Sequence, residues 1–136
     1  MSGRQIVWAA LVVLGAVSLP GCGGGVERHS VSGAVTLGGQ PVPAGEITFE
    51  PDASKGNNGP GSVARIRNGR YQTEPGLGLV GGPYIARIIP MSGTPFADSL
   101  DGKPLLPSPH VESVEFPPSI VTRDFGIPAA GKKPPG

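Results

Sequence analysis

Cys22 is the only cysteine of this 136-residue chain, and its place decides what its sulfur can do. It follows Leu19-Pro20-Gly21 and precedes Gly23-Gly24-Gly25. Upstream, Arg4 gives a short positive start, Ile6 to Val17 is an apolar run, and Ser18 to Gly21 is a small-residue exit. A charged start, about 7–15 apolar residues and a small-residue cleavage site describe a secretory signal peptide. The run is shorter than the roughly 20 residues that span a bilayer as a helix, so a permanent transmembrane anchor is the weaker reading. One thiol makes no disulfide within the chain, and a lone free thiol in an oxidising compartment is a liability. A plain signal followed by a free cysteine is therefore disfavoured against a cysteine consumed by modification.

The pattern Leu19-x-Gly21-Cys22 resembles the lipobox of bacterial lipoproteins, with Pro20 departing from the usual small or β-branched residue. The resemblance implies cleavage before Cys22, lipid attachment at its sulfur and acylation of its new amine. Two or three acyl chains are enough for stable anchoring. It also implies an address in a bacterial cell envelope, lipid-anchored to a membrane, with the following domain facing the periplasm or the exterior.

The other residues that could do chemistry fall short of a constellation. Gly76-Leu77-Gly78-Leu79-Val80-Gly81 has the letters G-x-G-x-x-G, but a dinucleotide site needs that turn between a strand and a helix. Here Gly82-Pro83 and an apolar alternation follow. Asp98 and Asp101 lie beside a turn glycine, Gly102, and Asp52, Ser54, Asn57 and Asn58 make a second oxygen-rich stretch. Calcium wants six to eight oxygens, so turn formation is the expected role of both and no metal is expected. His29 and His110 are the only imidazoles. A triad needs nucleophile, base and orienting group in contact, no Gly-x-Ser-x-Gly elbow occurs, and His110 is expected to be solvated in an irregular loop. No catalytic residue and no cofactor are expected.

With 11 Lys+Arg against 10 Asp+Glu, the chain lacks the basic excess that nucleic-acid binding calls for. Removal of residues 1–21 leaves roughly 115 residues, one ordinary domain. Glycine (23) and proline (17) are abundant enough to suggest disorder, but they punctuate short apolar runs, which reads as all-β. Residues 22–28 are a Gly-rich tether, 29–127 the β-domain and 128–136 a disordered Pro/Lys tail.

Within the domain, His29 to Leu37 alternates with Val31, Gly33, Val35 and Leu37 on one face, as a half-buried strand does. Gly38-Gly39 turns the chain, and the prolines of Gln40 to Ala44 mark an edge or a connection. Gly45 to Glu50 points Ile47 and Phe49 inward. Ser62 to Arg67 and Arg70 to Thr73 flank Asn68-Gly69, the strongest short hairpin signal here, with Tyr71 anchoring the core. Pro75 to Pro83 loops. Tyr84 to Ile89 is apolar on both faces and reads as a central strand. Met91 to His110 has no clean period. Ser113 to Phe116 pairs briefly, and Ser119 to Ile127 closes the domain with Val121, Phe125 and Ile127 inward. Seven or so short strands imply a two-layer sandwich.

Three stretches together resemble the transthyretin-like, carboxypeptidase-regulatory-like domains of planctomycete-type lipoproteins: Val31 to Val42 continuing to Ile47-Thr48-Phe49-Glu50-Pro51, then Ile66 to Tyr71, then Gly82 to Ile88. They cover residues 31 to 89. The resemblance implies a seven-stranded Greek-key β-sandwich, a membrane-anchored address and no established catalytic residues. The expected function is that of a membrane-anchored, non-catalytic module that binds an envelope protein or another envelope component. The alternative is a carbohydrate-binding module using loop aromatics and Asp/Asn-rich turns. Phe96, Leu100, Leu105, Leu106 and His110 are the candidate binding loop. They form an apolar patch if exposed, and a cap on the open end of the sandwich if folded back, the commoner fate of Leu and Phe.

Overall fold

Residues 26–129 are described by a computed structural model. The signal segment 1–21, Cys22 and most of the tether, and residues 130–136 of the tail lie outside the described residues. The strands are β1 (Val31–Leu37), β2 (Gln40–Pro41), β3 (Ala44–Pro51), β4 (Ser62–Arg67), β5 (Arg70–Thr73), β6 (Gly82–Met91), β7 (His110–Phe116), β8 (Val121–Thr122) and β9 (Phe125–Ile127). The fold is all-β. Its strands join into one sheet ordered β2-β1-β5-β4-β3-β6-β7, with β8 and β9 added on β1. Neighbours are antiparallel except β1–β8 and β1–β9, which are parallel.

β1 makes the sheet curl. Its first half pairs with β5 through Ser32↔Gln72 and with β8 through Ser32↔Thr122. Its second half pairs with β2 through Thr36↔Pro41 and with β9 through Thr36↔Gly126. One strand thus belongs to two groups of neighbours. Nine strand segments stand where seven or so are expected, because Gln40–Pro41 pairs with β1 as a short strand of its own and the closing stretch 119–127 is broken in two. Tyr71 donates its hydroxyl to the Arg123 carbonyl at 2.5 Å, and Asp124 Oδ1 accepts from the Ala34 amide at 2.8 Å. The Arg123 amide still donates to the Ser32 carbonyl at 2.8 Å, and beyond it these side-chain bonds stand in for the ladder. Gly33 permits the approach, since a Cβ there would overlap the Arg123 carbonyl.

The inner face follows the period of two. Val31 and Val35, Ile47 and Phe49, Ala64 and Ile66, Tyr84, Ala86 and Ile88 are all buried. Phe49 is the hub, its ring 5.7 Å from Phe116, 6.0 Å from Tyr71 and 6.2 Å from Phe125. Aromatic edges meet faces at such separations, and here they draw β3, β5, β7 and β9 around one core. Val121, expected inside, is only partly buried but packs against that core. β6 lies between β3 and β7, the central place its two apolar faces suggest. At the hairpin, Asn68 and Gly69 both take positive φ (50° and 76°), as a tight two-residue turn of matching twist demands. Pro75 to Pro83 is not merely a loop: Leu79 is buried and exchanges backbone bonds with His29 at 2.7 and 2.9 Å.

Candidate functional site

The two ends of the curled sheet carry different side chains. At the end where β1 begins, Arg28 is spread over the loops: Nε donates to the Gly78 carbonyl at 2.9 Å, and Nη2 donates to Gly61 at 2.8 Å and Leu77 at 3.2 Å. This arginine has no motif in the sequence. Its role follows from three carbonyls, Gly61 on one loop and Leu77 and Gly78 on another, that the fold brings to one point. Gly78 and Gly81 of the G-x-G-x-x-G stretch let the chain pack closely at this end. A side chain on Gly78 would overlap the His29 carbonyl, and Gly81, at φ 89°, sits against Pro118. The strand β6 follows them, where a nucleotide site requires a helix.

The loop 92–109 sits at the opposite end of the strands, between β6 and β7. It folds on itself: the Phe96 and Ser99 amides each donate to the other's carbonyl at 3.0 Å, Ser92 donates to Lys103 and Leu105 to Pro90 at 2.8 Å. The candidate binding residues divide here. Leu106 packs against the core, as a cap does, whereas Phe96 (54% exposed), Leu100 (84%) and Leu105 (40%) face solvent. Lys103 Nζ stands 3.9 Å from the Phe96 ring centre, a cation–π contact that leaves the rest of the ring open. His110 is not a solvated loop residue. It opens β7 and is partly buried, its Nε2 3.2 Å from Glu112 Oε2. Phe96, Leu100 and Leu105 therefore share one exposed loop, while Leu106 and His110 belong to the body of the fold.

Asp101 fixes that loop to the sheet. It lies 2.8 Å from Arg67 Nη1 and 3.7 Å from Arg65 Nη1, both on the outer face of β4. Asp98 and Asp101 are thus separated in role, and the oxygen-rich stretch 52–58 consists of turn formers. Asp52 Oδ1 accepts from the Ser54 amide at 3.1 Å, and Asn57 accepts from the Gly59 amide at 3.0 Å and donates to the Pro83 carbonyl at 2.8 Å. Asp52 and Asn57 are buried rather than at the surface. Among the described residues no group of three or more His, Cys, Asp or Glu side chains is placed to hold a metal ion. His29 and His110 lie at opposite ends of the strands and are not brought together.

Tyr71 and Tyr84 are core residues, so neither ring is open to a sugar; Phe96 is. Burial pushes the Tyr71 phenol well above its ordinary range, with the charge of Asp124 adding to the rise and that of Arg123 opposing it. The outer face of β3, β4 and β5 bears a cleft of about 700 Å³ lined by Arg28, Glu46, Glu50, Val63, Arg65 and Glu74 among others. Its lining mixes charges of both signs with apolar side chains such as Val63 and Leu77. Comparison with protein-family models, with curated proteins and with solved structures gives no match.

Proposed function

We propose that this chain is a lipid-anchored, non-catalytic binding module of a bacterial cell envelope, built on a transthyretin-like Greek-key sandwich and presenting its loop 92–109 to an envelope protein or other envelope component. The observation that carries the reading is the lipobox-like Leu19-Pro20-Gly21-Cys22 at the end of an apolar run, only six residues before Arg28. Six extended residues reach about 20 Å at most. Arg28 is itself bound to Gly61, Leu77 and Gly78, so a lipid on Cys22 holds the start of β1 close to the bilayer. The loop with Phe96, Leu100 and Leu105 then stands on the far side, away from the lipid by about the length of the ten-residue β6, roughly 33 Å. A short tether with a distal loop suits capture of a partner beyond the membrane surface.

The reading is tested by Cys22→Ser with membrane fractionation and intact mass. Release from the membrane fraction and loss of an acyl mass increment are expected. Unchanged fractionation, or a wild-type mass with no acyl group, defeats it.

A further inference from the structure

Arg65, Arg67 and Arg70 surround one hollow of about 420 Å³ on the outer face of the β4–β5 hairpin, with Ser32 and Gln72 also in its wall. Register sets the grouping: Arg67 stands directly across from Arg70, and Arg65 across from Gln72. Like charges placed opposite one another on a sheet face repel and destabilise it. The fold answers with one carboxylate, Asp101, which reaches Arg67 and Arg65. Glu46 is the cross-strand neighbour of Arg65 on β3, but it makes no ion pair there. Among the described residues Arg70 has no ion-pair partner. Three guanidiniums against one engaged carboxylate leave the hollow cationic in a chain of formal net charge +1.

We propose that this hairpin binds an anionic saccharide, taking a sulfate, phosphate or carboxylate group between Arg67 and Arg70. The guanidinium fork matches such oxyanions with two parallel hydrogen bonds. The Ser32 hydroxyl and Gln72 amide offer neutral donors and acceptors for sugar hydroxyls beside the charge. The hairpin lies at the end of the strands away from Val26, where an extended ligand is reached without crossing the N-terminal segment. Asp101 occupies part of the same guanidinium surface, so it is an internal competitor that the ligand displaces. This names a ligand class for the envelope-binding role proposed above, at a site beside the loop 92–109 rather than on it, and does not depend on the lipid.

The test uses the full chain in a non-ionic detergent, which separates loss of sugar binding from loss of membrane attachment. Calorimetric titration with dextran sulfate is compared with neutral dextran of equal length, an oligonucleotide and anionic lipid vesicles. Dextran sulfate is expected to bind, with affinity falling as salt rises, and neutral dextran is not. Arg67→Gln and Arg70→Gln each weaken binding about tenfold, the scale of a hydrogen bond to a charged group. Asp101→Asn strengthens it, and Arg87→Gln, away from the hollow on β6, leaves it unchanged. The three arginine substitutions are at exposed positions and leave folding intact, checked by melting temperature, which is also read for Asp101→Asn because Asp101 ties the loop to the sheet. The proposal is overturned by an absence of dextran sulfate binding, by equal binding of neutral dextran, or by tighter binding of the oligonucleotide or vesicles. Wild-type affinity in both arginine variants, or an equal loss in Arg87→Gln, overturns it as well.

Discussion

Arg123 Nη2 lies 2.9 Å from Glu112 Oε1, and this pair joins the two margins of the curled sheet. Glu112 is on β7, the last strand in the order, and Arg123 separates β8 from β9 beside β1. Each margin has its own backbone ladder, β7 on β6 and β8–β9 on β1. His110 Nε2 is 3.2 Å from the other Glu112 oxygen, so one carboxylate gathers two basic side chains.

Because the Arg123 and Glu112 side chains are 44% and 29% exposed, water and salt weaken their attraction. A double-mutant cycle with Glu112→Gln and Arg123→Gln is expected to give a coupling of about 0.2–1 kcal/mol in dilute buffer. The coupling should shrink in 1 M salt, where the Debye length is about 3 Å. A coupling that is independent of salt counts against a role for the charges.

Gly33→Ala introduces a Cβ onto the Arg123 carbonyl. That carbonyl accepts the Tyr71 hydroxyl, so it cannot move without losing a bond. A destabilisation of about 1–3 kcal/mol is expected from such overpacking, read by urea unfolding. Hydrogen exchange should show it as faster opening of β8 and β9 than of β4. Uniform loss of protection across all strands contradicts the local assignment.

Tyr71→Phe should cost about 1 kcal/mol, because the Arg123 carbonyl loses its donor in a partly buried place. The pH dependence has a definite sign. The unfolded phenol loses its proton near the ordinary value of 10.0, while the folded one holds it to higher pH. The folded state therefore binds more protons above pH 10, and stability falls as pH rises through that range; below it the contribution is complete. Unfolding curves from pH 8 to 11.5 should show a steeper alkaline loss in the wild type than in Tyr71→Phe. Parallel curves would remove Tyr71 from the account.

Phe49→Ala removes the ring that Tyr71, Phe116 and Phe125 share. A loss of about 3–5 kcal/mol is expected, a large part of the roughly 5–15 kcal/mol that holds a domain folded. Phe49→Leu should recover much of it. If Phe49→Ala melts within error of the wild type, the hub position is misassigned.

Elements that depend on near neighbours were readable in the residues. Ser62 to Arg67, Asn68-Gly69 and Arg70 to Thr73 match β4, the turn and β5, because alternation and turn residues act within a few positions. Ile47 and Phe49 were assignable to the core for the same reason. What escaped depends on distant partners. Arg28 has meaning only where Gly61, Leu77 and Gly78 meet. Leu79 is held by His29, and the break at Arg123-Asp124 is made by Tyr71 and Ala34. Asp101 looks like a turn acid until Arg65 and Arg67 are placed beneath it. The loop candidates split for a similar reason: hydropathy treats Leu105 and Leu106 alike, and only the chain path turns one out and the other in. Cys22 and Gly21, the most informative residues in the sequence, lie outside the described residues.

β1 and β9 run side by side in the same direction, so the chain enters this pair at one extremity and departs from the other. Tension applied between Val26 and Ala129 would load the β1–β9 and β1–β8 registers lengthwise, straining their bonds together rather than peeling them one after another. Such an arrangement resists stretching through a slow unfolding rate rather than through equilibrium stability. Single-molecule extension between these points should yield at higher force than extension between Val26 and the Asn68-Gly69 turn. The shared first strand would then act as a mechanical clasp against force applied between the two ends of the domain.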